Sequence, residues 1–184
     1  MAATEIVHLT HFVTPLGPMT VASTAHGVVA SSLPGDGRDH VRRWLARRLP
    51  RAEVVEGTGR NAAVVSAVQA YLAGRRRDLD VPLDLRGTPF QKKVWSALRR
   101  VPYGETISYA DLARRAGHPR AARACGSANG SNPVPLFVPC HRTIAADGTL
   151  GGFGGGLPLK RRLLALERGP ESGRRGRAGA GPRG

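Results

Sequence analysis

Cys140 and His141 place a nucleophile and a base in adjacent positions, between Pro139 and Arg142. A free thiol with a pKa near 8.5 is only about 3% thiolate at neutral pH. A nucleophilic cysteine therefore needs a base or a local positive potential, and His141 or Arg142 offers one. Adjacent residues on an extended strand point to opposite faces, so the dipeptide makes direct contact only at a turn, or acts through a water. The same pair also fits an inert buried thiol beside a core histidine. Cys125 lies in an Ala-rich segment with no base next to it and reads as a small core filler. Downstream, the glycines of 151–156 flank a single aromatic, Phe153. That pattern suits either a backbone that closely approaches a flat ligand or a plain flexible loop, and it matches neither phosphate-binding glycine signature.

Charge points to a partner class. Lys+Arg number 28 against 13 Asp+Glu over 184 residues, a formal net charge of +15, and only Lys92, Lys93 and Lys160 are lysines. Such a balance favours a polyanion, with a compositional bias toward Arg, Ala, Gly and Pro as the competing explanation. The 2 cysteines cannot make a disulfide framework, which suggests a reducing, cytoplasmic setting. No run of apolar residues is long enough to span a membrane. No C-x-x-C pair is present, and His8 and His11 sit three apart in an alternating segment, facing opposite ways; neither metal nor cofactor is expected.

The elements that must position these residues fall into two parts. Glu5–Phe12, Met19–Ser23 and Val28–Leu33 alternate and break at Gly- and Pro-containing turns, predicting a meander. Arg38–Leu49 and the stripe Val64, Val65, Val68, Tyr71, Leu72 predict two helices. Residues 1–80 thus read as an α+β subdomain and 81–87, around Pro82 and Gly87, as a linker. Residues 88–169 begin with a capping box, Thr88-Pro89-Phe90-Gln91. A second, Ser108-Tyr109-Ala110-Asp111, opens a helix that stops at Gly117. With the following helix, Arg120–Asn129, it forms a helix-turn-helix candidate. Leu157–Glu167 predicts a last helix. Residues 170–184, rich in Arg, Gly, Pro and Ala, read as a disordered basic tail.

Taken together, residues 87–169 resemble the O6-alkylguanine-DNA alkyltransferase family, in its single-chain bacterial form. The matching stretches are Thr88–Gln91, Pro102-Tyr103-Gly104, Ile107–Tyr109, Ala116–Ala124, Asn132–Pro135, Pro139–Arg142, the Gly-rich loop and Lys160–Glu167. Thr14–Pro18 and Tyr71–Gly74 agree more loosely. The resemblance implies an RNase H-like N-terminal subdomain and a mainly helical, winged-helix-like C-terminal domain. It makes Cys140 the acceptor of an alkyl group from guanine O6, and by extension thymine O4, in a single irreversible turnover. His141 becomes its base, acting through a water, and Glu167 orients the imidazole. Asn132 is the hinge, and Tyr109 donates toward N3 of a flipped guanine. Arg123 enters the duplex in place of the extruded nucleotide. Ala121, Ala122, Ala124 and Gly126 let the helix approach the minor groove, with Arg120, Ser108 and Arg142 as further DNA contacts. Phe153, Gly154, Gly155, Val138 and Pro135 form the base pocket. The implied partner is double-stranded DNA, bound by a monomer or by cooperative assembly along the duplex.

Phe153 stands where the family usually has tyrosine, and Gly154 adds no side chain. Both suggest a pocket roomy enough for groups bulkier than methyl. Three other readings remain: an alkyltransferase-like module that binds damage without repairing it, a helix-turn-helix transcription factor, and a cysteine hydrolase. The first replaces the cysteine, the second leaves Pro139–Arg142 unexplained, and the third lacks an oxyanion arrangement.

Overall fold

A computed structural model describes residues 4–169. The fold is mixed α+β, with six α-helices among these residues. β1 (Ile6–Thr14), β2 (Gly17–Thr24) and β3 (Gly27–Ser31) form an antiparallel meander. A fourth strand, β4 (Glu53–Glu56), runs parallel to β1 and gives the order β3-β2-β1-β4. The sequence reading omitted β4, because four residues ending in glutamates carry too little alternation to show.

Both faces of this sheet are covered. α1 (His40–Arg48) sets Val41 and Leu45 against Val7, Leu9, Ala22, Val29 and Ala30. On the other side Met19, Val21 and Val28 join α2 (Ala62–Leu72) in a core that continues through Tyr71, Trp95, Leu98, Leu112 and Leu163. One apolar interior therefore links the sheet to the helices that follow it. The stretch 81–87, read as a linker, is tied to the sheet. The backbone N–H of Val28 donates to the Pro82 carbonyl at 2.9 Å and that of Asp84 to the Val28 carbonyl at 2.9 Å, so Leu83 pairs with the free edge of β3. Residues before and at a proline favour extended backbone, and here that geometry is used for pairing. Gly27 makes this approach feasible, since a Cβ there would lie 2.3 Å from the Pro82 oxygen.

Beyond this edge strand, α3 (Pro89–Arg99) opens with both arms of its capping box formed: Gln91 N–H to Thr88 Oγ1 at 3.2 Å and Thr88 N–H to Gln91 Oε1 at 2.9 Å. Its Trp95 indole donates to the Ala128 carbonyl at 2.8 Å, tying α3 to α5 (Ala122–Gly130). α4 (Tyr109–Arg115) is capped by Ser108, which accepts from Asp111 N–H at 3.0 Å. A left-handed Gly117 (φ +79°) turns the chain toward α5. Two two-residue strands, β5 (Ile107–Ser108) and β6 (Thr143–Ile144), pair in parallel. Too short to read from sequence, they clamp the start of α4 to the segment just after Cys140. α6 (Gly156–Arg168) closes the described chain, burying Leu159, Lys160, Leu163, Leu164 and Glu167. The expected disordered tail, 170–184, lies outside the described residues. No described helix is long and apolar enough to cross a membrane.

Candidate active site

Cys140 starts a single 3₁₀ turn, Cys140–Arg142, rather than lying on a strand. The turn resolves the opposed-faces difficulty of an extended Cys-His pair. Asn132 shapes the loop that leads into it: its Nδ2 donates to the Val138 carbonyl at 2.8 Å and its Oδ1 accepts from Val134 N–H at 3.0 Å. Leu136, at φ +73°, is strained backbone within the same loop. Burial pushes the Cys140 thiol pKa up, against a hydrogen bond from Asn132 and the nearby charge of Lys160. The resting group is therefore the thiol, and reaction requires a base.

The imidazole of His141 follows Cys140 in the same turn. His141 is 0% exposed, and burial depresses its pKa although Glu167 works the other way. Its Nε2–H donates to Glu167 Oε1 at 2.5 Å, and its Nδ1 is buried without a partner among the described residues. A neutral imidazole in this tautomer keeps one free lone pair, at Nδ1. Burial alone would raise Glu167, but donors from His141, Arg142 and Tyr71 outweigh it and hold the carboxyl at about 2. The carboxylate thus stays ionised and fixes the imidazole.

Cys140 opens onto a cavity of about 350 Å³. Tyr109, Gly126, Asn129, Asn132 and Pro135 line it together with Phe153, Gly152 and Gly154. The Phe153 ring stands edge-on to His141, centroids 6.5 Å apart. Burial raises the pKa of Tyr109, with Cys140 contributing, so its hydroxyl remains a donor. Lys160, 0% exposed, pins the Gly-rich loop by donating to the carbonyls of Thr143 (2.6 Å), Gly152 (3.3 Å) and Leu150. Outside the cavity, Arg120, Arg123, Ala124 and Ser127 are exposed along α5 and the turn before it, while Ala121 and Ala122 are half-buried.

Residues 89–169 match the model of the 6-O-methylguanine DNA methyltransferase DNA-binding domain. A methylated-DNA–protein-cysteine methyltransferase of Mycobacterium bovis is 44% identical over 165 residues, covering 89% of this chain and 93% of that protein. The chain belongs to the methylated-DNA–protein-cysteine methyltransferase family. The inducible Bacillus subtilis member is 39% identical over 80% of the chain and 83% of its own length. A crystal structure of Mycobacterium tuberculosis OGT in complex with DNA superposes with a TM-score of 0.73 at 41% identity, covering 88% of this chain and 92% of that one. The O6-methylguanine-DNA methyltransferase of Pyrococcus kodakaraensis reaches 0.60 at 27% identity, over 88% and 98%.

Within this family frame, four of the expected residues have other partners or positions in the structure. Arg142, expected at DNA, is 7% exposed; its guanidinium binds Glu167 Oε2 at 2.8 Å and the Val101 carbonyl at 2.6 Å, so it neutralises the carboxylate instead. Val138, at 0% exposure, lies behind the cavity wall and contributes a backbone acceptor to Asn132. Gly155 is a packing site, since a Cβ there would meet Leu159 at 2.7 Å and Leu33 at 3.0 Å. The Ser108 hydroxyl is committed to Asp111, whose carboxylate accepts it at 2.7 Å while capping α4. Gly126 faces the cavity, where a Cβ would stand 3.7 Å from the Tyr109 ring. Sequence reading missed Leu33, Asp36 and His40, which the loop before α1 and that helix bring to the cavity. Nothing in their spacing distinguishes them from surface residues. Lys160 carried a signal, a lone lysine inside an apolar stripe.

Proposed function

We propose that Cys140 accepts the alkyl group of O6-alkylguanine, and of O4-alkylthymine, in double-stranded DNA, irreversibly and once per protein molecule. The observation that carries this reading is the buried thiol at the cavity, next to a neutral histidine whose Nδ1 is unpaired and whose other nitrogen is held by an ionised glutamate. The thiol proton passes to His141 Nδ1 through a water occupying that unpaired position. Sulfur then attacks the alkyl carbon in line. The S–C bond forms, the C–O6 bond breaks, and its electron pair stays on the guanine, which Tyr109 assists by donating toward N3. In the net change the thiol hydrogen is replaced by alkyl and guanine gains a hydrogen. A thioether does not leave again, so no turnover follows.

The reacting carbon is inaccessible in stacked DNA, which makes extrusion of the base into the cavity a requirement, at a few kcal/mol. Arg123, exposed on α5, fills the vacated position. The small face of Ala121, Ala122 and Ala124 fits close approach in the minor groove. Two parts, the sheet-bearing residues 1–80 and the DNA-binding residues 88–169, act as a monomer on the duplex. Incubation with duplex containing O6-methylguanine, followed by peptide mapping, tests this: one added methyl on Cys140 supports it. Tight binding with the lesion left intact would instead assign the protein to the damage-binding modules.

A further inference from the structure

Glu167 receives more hydrogen bonds than an orienting carboxylate needs. Oε2 accepts from Arg142 Nε at 2.8 Å and from the backbone N–H of Gly104 at 3.0 Å. Oε1 accepts from His141 Nε2, from Arg142 Nη2 at 3.1 Å, and from the hydroxyl of Tyr71. The first two side chains belong to the turn that carries Cys140. Tyr71 comes from α2, in the sheet-bearing part of the chain. Its ring is 1% exposed and packs edge-on against Tyr103 at 5.7 Å. Phenylalanine would fill the same space. The hydroxyl adds nothing to that packing, yet it ends on the very oxygen that holds His141.

We propose that Tyr71 is a positioning residue for alkyl transfer, its hydroxyl holding Glu167 Oε1 in line with His141 Nε2 and drawing off part of the charge on that oxygen. The inference rests on the alkyl-transfer reading above. A carboxylate that leans all its charge on the imidazole favours imidazolium, which has no lone pair at Nδ1 to accept the thiol proton. A neutral donor on the same oxygen spreads the charge and keeps His141 a base. Burial and the adjacent Glu167 hold the Tyr71 pKa far above its ordinary value, so the donor persists at every working pH. The other charged or titratable groups acting on this assembly are Arg142 and Lys160 toward His141, Cys140 from the same turn, and Tyr103 beside Tyr71. Among the described residues, Tyr71 is the one neutral side-chain donor to Glu167 besides the imidazole of His141 itself.

The test is the rate of alkyl transfer to Cys140 from O6-methylguanine duplex across the acid-to-neutral range, for the unaltered protein and for Tyr71→Phe, each normalised to its titrated reactive thiol. The variant should transfer about fivefold more slowly at neutral pH, the scale of one lost hydrogen bond. The acid limb of its profile should move upward by about half a pH unit, with duplex affinity unchanged. Ring-nitrogen NMR of His141, recorded without DNA, should show the same upward displacement and does not depend on the transfer assay. A profile that superimposes on the unaltered protein's, or a rate lowered by one factor at every pH with an unmoved histidine titration, overturns the proposal. An unaltered protein that leaves Cys140 unalkylated removes both readings together; a reactive one with an unshifted variant removes Tyr71 alone.

Discussion

Arg142 and Arg123 are the same residue type in opposite circumstances. Arg142 is buried, with its charge matched by Glu167 and its remaining donors taken by carbonyl and phenolic oxygens. Arg123 stands on the open face of α5 with no ion pair among the described residues. A charge taken out of water must be paired at once, whereas one left in water remains available for phosphate. The +15 of the chain therefore says little about which cations meet DNA, and burial decides it. Cys140, His141, Arg142 and Glu167 form a relay that is a closed charge system, with His141 and Arg142 both bonded to Glu167, and the α5 face is an open one.

Breaking the closed system should give the largest effects. Cys140→Ala should abolish alkyl transfer while duplex affinity, read by titration against labelled DNA, stays within about twofold because the open face is untouched. Glu167→Gln should follow, because it strands the buried Arg142 charge. Uncompensated buried charges cost about 3–5 kcal/mol, and denaturant unfolding should show a loss of that order together with a collapse in transfer rate. Acid provides the same test without mutation. The folded-state carboxyl sits at about 2, below its ordinary value of 4.5, so its contribution is complete above the higher value and disappears as pH falls toward the lower one. Glu167→Gln should lack that acid-sensitive component. If it unfolds along the same acid profile as the unaltered protein, the relay is not a closed unit.

The two regions also differ in how far sequence alone exposes them. Thr88–Gln91 and Ser108–Asp111 announce their helices because a cap is a local contract between residues three apart. α3 and α4 were legible for that reason, while α5, with no side-chain cap, was read from its composition and the Gly117 turn before it; Cys140 and His141 stood out by their adjacency. The closure of the relay was not legible. Tyr71 sits at a helical spacing that core residues share, and its hydroxyl meets a partner 96 positions away. Arg142 beside Cys140 and His141 reads as a DNA contact, whereas the fold turns its guanidinium inward. β4, β5 and β6 were invisible, because strands of two to four residues carry no period and exist through pairing. What sequence shows is short-range chemistry; the long-range partners that tune it come from packing.

Breaking the open system should produce a smaller, substrate-dependent effect. Arg123→Ala should slow transfer from duplex by about tenfold or more, the weight of an extruded state costing a few kcal/mol. Its rate on free O6-alkylguanine should be unchanged, since no base need be extruded. Equal loss on both substrates would place Arg123 in the closed system after all. Unfolding should move by no more than about 0.5 kcal/mol, as for other exposed positions.

The smallest effect is expected where the two regions meet. Gly126 and Gly130 of α5 and Cys140 of the relay line one cavity, and Gly154 stands at its exposed rim. A Cβ at Gly154 would meet nothing within 4 Å, and its φ is not among the positive values. A side chain can thus be added there without backbone strain or collision, narrowing the entrance and leaving the relay alone. The unaltered protein should accept benzylated as well as methylated guanine, because Phe153 presents a flat wall and Gly154 leaves the mouth open. Gly154→Leu should lower the rate on the benzyl lesion several-fold, the range that one or two methylene-sized clashes produce, and change the methyl rate by less than about twofold. Parallel rates on the two oligonucleotides measure the difference. If both fall together, the side chain acts by displacing the Gly-rich loop that Lys160 holds, and the mouth of the cavity is not what sets alkyl size.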